Sequence, residues 1–116
     1  MARATAITNT LVMGPNVAAE VTANAVTANT ALYVDSNQLD ERTIFEFTAS
    51  AAANLTIKAG TGYAGVNDLT FEVAKDKTVA FTLDSARFAK ASGENAGLIE
   101  IVSDAAGTLK VIQAKV

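Results

Sequence analysis

The chain has 116 residues, a mass of 11.9 kDa and a formal net charge of −3, which bounds it to one domain with one core. It contains no cysteine and no histidine. That excludes disulfides, thiolate metal sites and any nucleophile activated by an imidazole. With no tryptophan, two tyrosines and a pI near 4.8, it offers little aromatic area for stacking bases or sugars and no basic face for a phosphate backbone.

The start of the chain carries one arginine, Arg3, but no long apolar stretch behind it; Leu11-Val12-Met13 ends at Gly14-Pro15. Neither a signal peptide nor a membrane-spanning helix is expected, and a cytoplasmic compartment at synthesis is the corresponding expectation. Residues 1–34 are rich in Ala, Thr, Asn and Val and contain a tandem echo, Val21-Thr22-Ala23-Asn24-Ala25 followed by Val26-Thr27-Ala28-Asn29-Thr30. Val17, Val21, Ala25, Ala28 and Leu32 fall at helical spacing. Thr, Asn and Val are mediocre helix formers, however, so extended strands or an arm are the favoured reading. The segment has little core of its own, yet Val12, Val17, Val21 and Val26 need burial somewhere, which makes them candidate contacts with other chains.

From residue 41 onward the pattern is period two. Thr43-Ile44-Phe45-Glu46-Phe47-Thr48, Leu55-Thr56-Ile57-Lys58-Ala59, Leu69-Thr70-Phe71-Glu72-Val73 and Val79-Ala80-Phe81-Thr82-Leu83 all alternate, as do the runs at 98–102 and 109–112. Such alternation marks half-buried strands of antiparallel sheets. It predicts that Phe45, Phe47, Ile57, Phe71, Phe81 and Ile101 are buried while Glu46, Lys58, Glu72 and Thr82 face outward. Turn-forming residues fall at 50–54, 75–77, 93–97 and 104–107. Lys75-Asp76-Lys77 reads as a hairpin between strands at 69–74 and 78–83. The expected architecture is all-β, an antiparallel sandwich of immunoglobulin-like or jelly-roll-like type, residues 35–116, preceded by an extended N-terminal segment, residues 1–34, within a single domain.

Motifs that promise chemistry have plainer explanations. Gly60-Thr61-Gly62-Tyr63-Ala64-Gly65 fits G-x-G-x-x-G, but a pyrophosphate site needs a helix opening at the loop, and an alternating strand follows instead. Asp35, Asp40 and Glu41 gather around Ser36-Asn37-Gln38-Leu39, yet Leu39 and Asp40 occupy the wrong positions of a calcium loop, so a solvated turn is expected rather than a metal site. Asn54-Leu55-Thr56 is a glycosylation sequon without a secretion signal. Glu46, Glu72 and Glu100 sit at outward strand positions, as on a solubilising face. In Asp84-Ser85-Ala86-Arg87-Phe88 a corner is expected, with Phe88 in the core and Arg87 paired to a neighbour. No catalytic residue and no cofactor is expected.

Four stretches occur in order: Asp40-Glu41-Arg42-Thr43-Ile44, Thr56-Ile57-Lys58-Ala59-Gly60-x-Gly62, Asp68-Leu69-Thr70, and Leu83-Asp84-Ser85-Ala86-Arg87-Phe88. Over residues 31–116 this series resembles small tailed-bacteriophage and prophage virion proteins of the head decoration type. The resemblance implies a non-enzymatic β-sandwich that binds the exterior of an assembled capsid, contacts the lattice of the major capsid protein, and cements it. Self-association, with a trimer as one form, belongs to the same expectation; nucleic acid and membrane do not. The alternatives are another virion part (a tail-tube or adaptor subunit, or a fibre module) and a cell-surface or carbohydrate-binding module using the 60–67 loop with Tyr63.

Overall fold

The computed structural model describes residues 4–5, 8–12, 21–35, 42–61, 67–91, 93 and 96–115. Among the described residues ten strands build two sheets: β1 (Ala4–Thr5), β2 (Thr8–Val12), β3 (Asn24–Val26), β4 (Leu32–Asp35), β5 (Thr43–Ala49), β6 (Ala53–Ile57), β7 (Leu69–Val73), β8 (Thr78–Phe81), β9 (Leu98–Ser103) and β10 (Gly107–Lys115). A single turn of helix, α1 (Ser85–Phe88), lies between β8 and β9. One sheet runs β1-β4-β9-β6-β7, the other β2-β10-β5-β8, with β3 also pairing with β10. The protein is an all-β sandwich.

Alternation within each strand decides what lies between the sheets. In β5 the inward positions are Thr43, Phe45, Phe47 and Ala49, facing Gln113, Val111, Leu109 and Gly107 of β10. The other sheet contributes Val34, Leu55, Ile57, Ile99 and Ile101, all essentially inaccessible. Both Phe45 and Phe47 are fully buried, and Glu46, on the opposite face, sits across from Lys110, a favourable cross-strand pair. The core ends in a polar contact, where Gln113 Nε2 donates to Thr43 Oγ1 at 2.9 Å.

Two of the six expected core residues are only half-buried, Phe71 and Phe81. They point inward as the alternation requires, but β7 and β8 are the outermost strands of their sheets. Nothing described lies beyond them to complete their burial. Their rings close the side of the sandwich by packing on each other at 5.2 Å, and Phe81 stacks on Phe45 at 5.3 Å.

The turn at 75–77 is not a hairpin. It carries the chain from β7 in one sheet to β8 in the other. Asp76 adopts a left-handed conformation (φ 63°) and donates its N–H to Ala49 O, while Ala49 N–H donates to Lys77 O. The links at 50–52 and 104–106 also change sheets. Asp104 pins the second of these corners by accepting from Asn54 N–H at 2.8 Å and Asn54 Nδ2 at 3.0 Å.

The N-terminal residues described are extended. Val21, Ala25, Ala28 and Leu32 lie on strands, turns and coil rather than on a helix. The boundary expected after residue 34 falls inside β4, whose Leu32 and Val34 are core residues, so residues 24–35 belong to the sandwich. β4 and β9 pair antiparallel, and so do the other strands of the body, but β1 joins β4 in parallel and β2 joins β10 in parallel. The two halves of the tandem echo serve different ends. Asn24 is buried and donates Nδ2 to Leu109 O, whereas Asn29 holds a left-handed turn (φ 59°) and donates its N–H to Ser103 O.

Candidate functional site

Of the residues nominated from sequence as partner contacts, Val12, Val21 and Val26 lie among the described residues. Val26 is 3% exposed and belongs to the core cluster, so its own domain buries it; this corrects the expectation that it faces a partner. Its N-terminal neighbours in the echo supply the reason: Asn24–Val26 pairs with Leu109–Gly107, which turns Val26 inward. Val21 is 41% exposed and remains on the surface. Val12 ends β2 opposite Lys115. Val17 and Tyr63 lie outside the described residues.

What the N-terminal residues do build is a strap. β1 adds Ala4 and Thr5 beside Leu32 and Tyr33 of one sheet, and β2 adds Thr8–Val12 beside Val111–Lys115 of the other. β1 and β2 therefore lie in different sheets although only two residues separate them in the chain. β2 and β3 share one edge of β10, in opposite directions, while β5 holds the other edge. Among the described residues, no strand pairs with the outer edges of β1 or β2.

At one end of the sandwich the segment 58–61 packs against the exit of α1. Gly60 donates its N–H to Arg87 O at 2.7 Å, and a Cβ at this position would stand 2.4 Å from Ala89 O. Only glycine allows that approach, which gives the first glycine of the motif a packing role. Thr61 Oγ1 accepts from Ala91 N–H at 2.8 Å. Described residues leave the loop as coil at Asn67 and Asp68 and enter β7 directly, the strand expected after the motif.

The acidic side chains around this end hold structure. Asp68 Oδ1 accepts from Ala59 N–H at 2.7 Å and Oδ2 meets Lys58 Nζ at 3.4 Å. The backbone bond first, and then the lysine, hold the carboxyl below its ordinary value although it is exposed. Glu100 Oε1 lies 3.5 Å from Lys90 Nζ, which also donates to Ala59 O at 2.9 Å. Asp84 caps α1 by accepting from Ala86 N–H. Phe88 is buried as expected, and Arg87 lies over its ring at 5.0 Å. Among the described residues, no three acidic side chains gather as metal ligands; Asp40 and Glu41 lie outside them, and Asp35 is exposed at the end of β4.

No protein family, curated protein or solved structure matches the chain.

Two features escaped the sequence. The Lys58–Asp68 and Lys90–Glu100 pairs each join residues ten apart in the chain, and no local pattern announces them. The half-buried Phe71–Phe81 seam was hidden because alternation reports which face a residue takes, not whether its strand is outermost.

Proposed function

We propose that this protein is a non-enzymatic structural component of a phage virion, bound to the exterior of the assembled capsid and bridging neighbouring capsid subunits. The resemblance of residues 31–116 to head decoration proteins motivates the reading. The strap is the observation that carries it. Among the described residues, β1 and β2 each lean on the sandwich through one edge, and their other edges carry backbone donors and acceptors for a further strand. Strand addition of this kind gives affinity through main-chain bonds, and exposed Val21 adds apolar surface in the same N-terminal region. The roles of Asp68, Asp84, Glu100 and Asp104 in internal hydrogen bonds and ion pairs support the non-enzymatic part. The acidic net charge keeps the unbound protein soluble and away from nucleic acid.

Binding only the assembled lattice stabilises it by mass action, by about 2.7 kcal/mol per site at a hundredfold excess over Kd. Many copies on a symmetric shell multiply weak single contacts into firm retention. The test is addition of purified protein to expanded empty shells. It should cosediment, saturate at a fixed ratio to the major capsid protein, and raise the temperature at which shells break. Shells that melt identically with and without it overturn the cementing role and favour a tail or host-surface role.

A further inference from the structure

The strap covers one side of the sandwich; β7 and β8 form the other. Among the described residues no strand pairs with the outer edge of β7. The direction of its unpaired groups follows from its neighbours. Asn54 O accepts from Asp104 N–H and Lys58 N–H donates to Glu100 O, so residues 54, 56 and 58 aim their backbone polar groups at β9. In an antiparallel ladder the alternate residues aim the other way. Ala53, Leu55 and Ile57 therefore bond to their partners Val73, Phe71 and Leu69. That leaves Thr70 and Glu72 with N–H and C=O pointing outward from the edge.

We propose that β7 is a self-recognition edge, pairing antiparallel with β7 of a second copy about a two-fold axis at Phe71. This goes beyond the capsid reading and does not depend on it. In this register Thr70 of each copy stands opposite Glu72 of the other, and the outward groups of both residues are satisfied as hydrogen-bonded pairs. The two Phe71 residues become a non-hydrogen-bonded pair, with Cα atoms about 4.5 Å apart. The inward rings, half-buried in one copy, then meet across the axis. A single aromatic row results, running from Phe45 through Phe81 and Phe71 of one copy into the other. The neighbouring registers are rejected by charge. A shift one way sets Glu72 against Glu72, and a shift the other way sets it against Asp68; like charges directly opposite destabilise a pair. Pairing about Phe71 puts no like charges opposite one another.

The register makes a signed prediction for sedimentation equilibrium of the full chain. Thr70 is exposed, and its hydroxyl contact to Thr56 is a weak one at 3.3 Å, so substitution there spares the core. The wild type should dimerise reversibly. Thr70→Glu sets two like-charge pairs across the axis and should weaken the dimer by about tenfold, while Thr70→Lys faces Glu72 and should tighten it. Combining Thr70→Glu with Glu72→Lys sets opposite charges across the axis again and should tighten the dimer as Thr70→Lys does. Should Thr70→Glu fail to fold, judged by its melting curve, the Thr70→Lys/Glu72→Lys pair makes the same repulsion with the opposite sign. A chain that stays monomeric at millimolar concentration overturns the proposal. So does a dimer indifferent to charge at residue 70, as one formed through β8 would be.

Discussion

Phe47 and Phe81 place the same side chain in different surroundings. Phe47 is fully enclosed, and its ring lies where a Cβ on Gly107 would fall, 2.8 Å from its Cζ. Phe81 is half-buried on the outermost strand of its sheet. Truncating buried phenylalanine costs about 3–5 kcal/mol. Phe47→Ala should therefore lose about 4 kcal/mol in urea unfolding and Phe81→Ala about 2 kcal/mol, less than alternation alone had suggested for it. Equal losses would mean that the aromatic seam is closed in solution. A second residue-scale expectation concerns Asp68. Its folded carboxyl titrates below the ordinary aspartate value, chiefly because it accepts from Ala59 N–H. A depressed pKa contributes stability above the unfolded value and loses it as pH falls through the folded one. The loop end at 58–68 should accordingly hold at pH 5 and loosen only in stronger acid, below the ordinary carboxylate range. Carboxyl chemical shifts followed by NMR would show this, with Asp68→Asn removing the transition.

The elements differ in how firmly they are held. β5 is flanked on both sides, by β10 and β8, whereas among the described residues β1 and β2 pair along one edge. Local opening follows such differences. Amide hydrogens of Leu11 and Val12 should exchange faster than those of Phe45 and Phe47, and a strap as protected as β5 would show it to be part of the core. Strands were legible in the sequence wherever alternation ran for four residues or more, because period two and one buried face allow a single register. The links between them were not. Lys75-Asp76-Lys77 has a hairpin's composition, and the same turn chemistry serves a corner between sheets; only the pairing of Ala49 with Asp76 and Lys77 distinguishes the two. The parallel pairing of β1 and β2 was equally hidden, since its partners lie about a hundred residues away for β2.

At the scale of the whole molecule, consecutive strands mostly alternate between the two sheets, β4 to β5, β5 to β6, β7 to β8 and β9 to β10 among them. The core is thus woven from every part of the chain, and Val26 illustrates the consequence for reading a site. Its sequence context, low in other large apolar residues, suggested a surface contact. In the fold it meets Gly107 of β10, and the missing neighbours come from the far end of the sequence. The glycine motif was readable for the opposite reason: its helix requirement is local, and so is the strand that replaces it.

β10 joins β2, β3 and β5, and all three precede it in the chain. A ribosome makes the chain in one direction, so these strands emerge with their common partner still unmade. One of the two sheets therefore cannot close during elongation until residue 107 and those after it have cleared the exit tunnel. Phe45, Phe47 and Val26 meanwhile present their apolar faces to whatever is nearby. Ribosome-bound chains stalled before β10 is exposed should be cut readily by protease between residues 21 and 61, and those stalled after its release should resist. Closure of this sheet waits for β10 to be made.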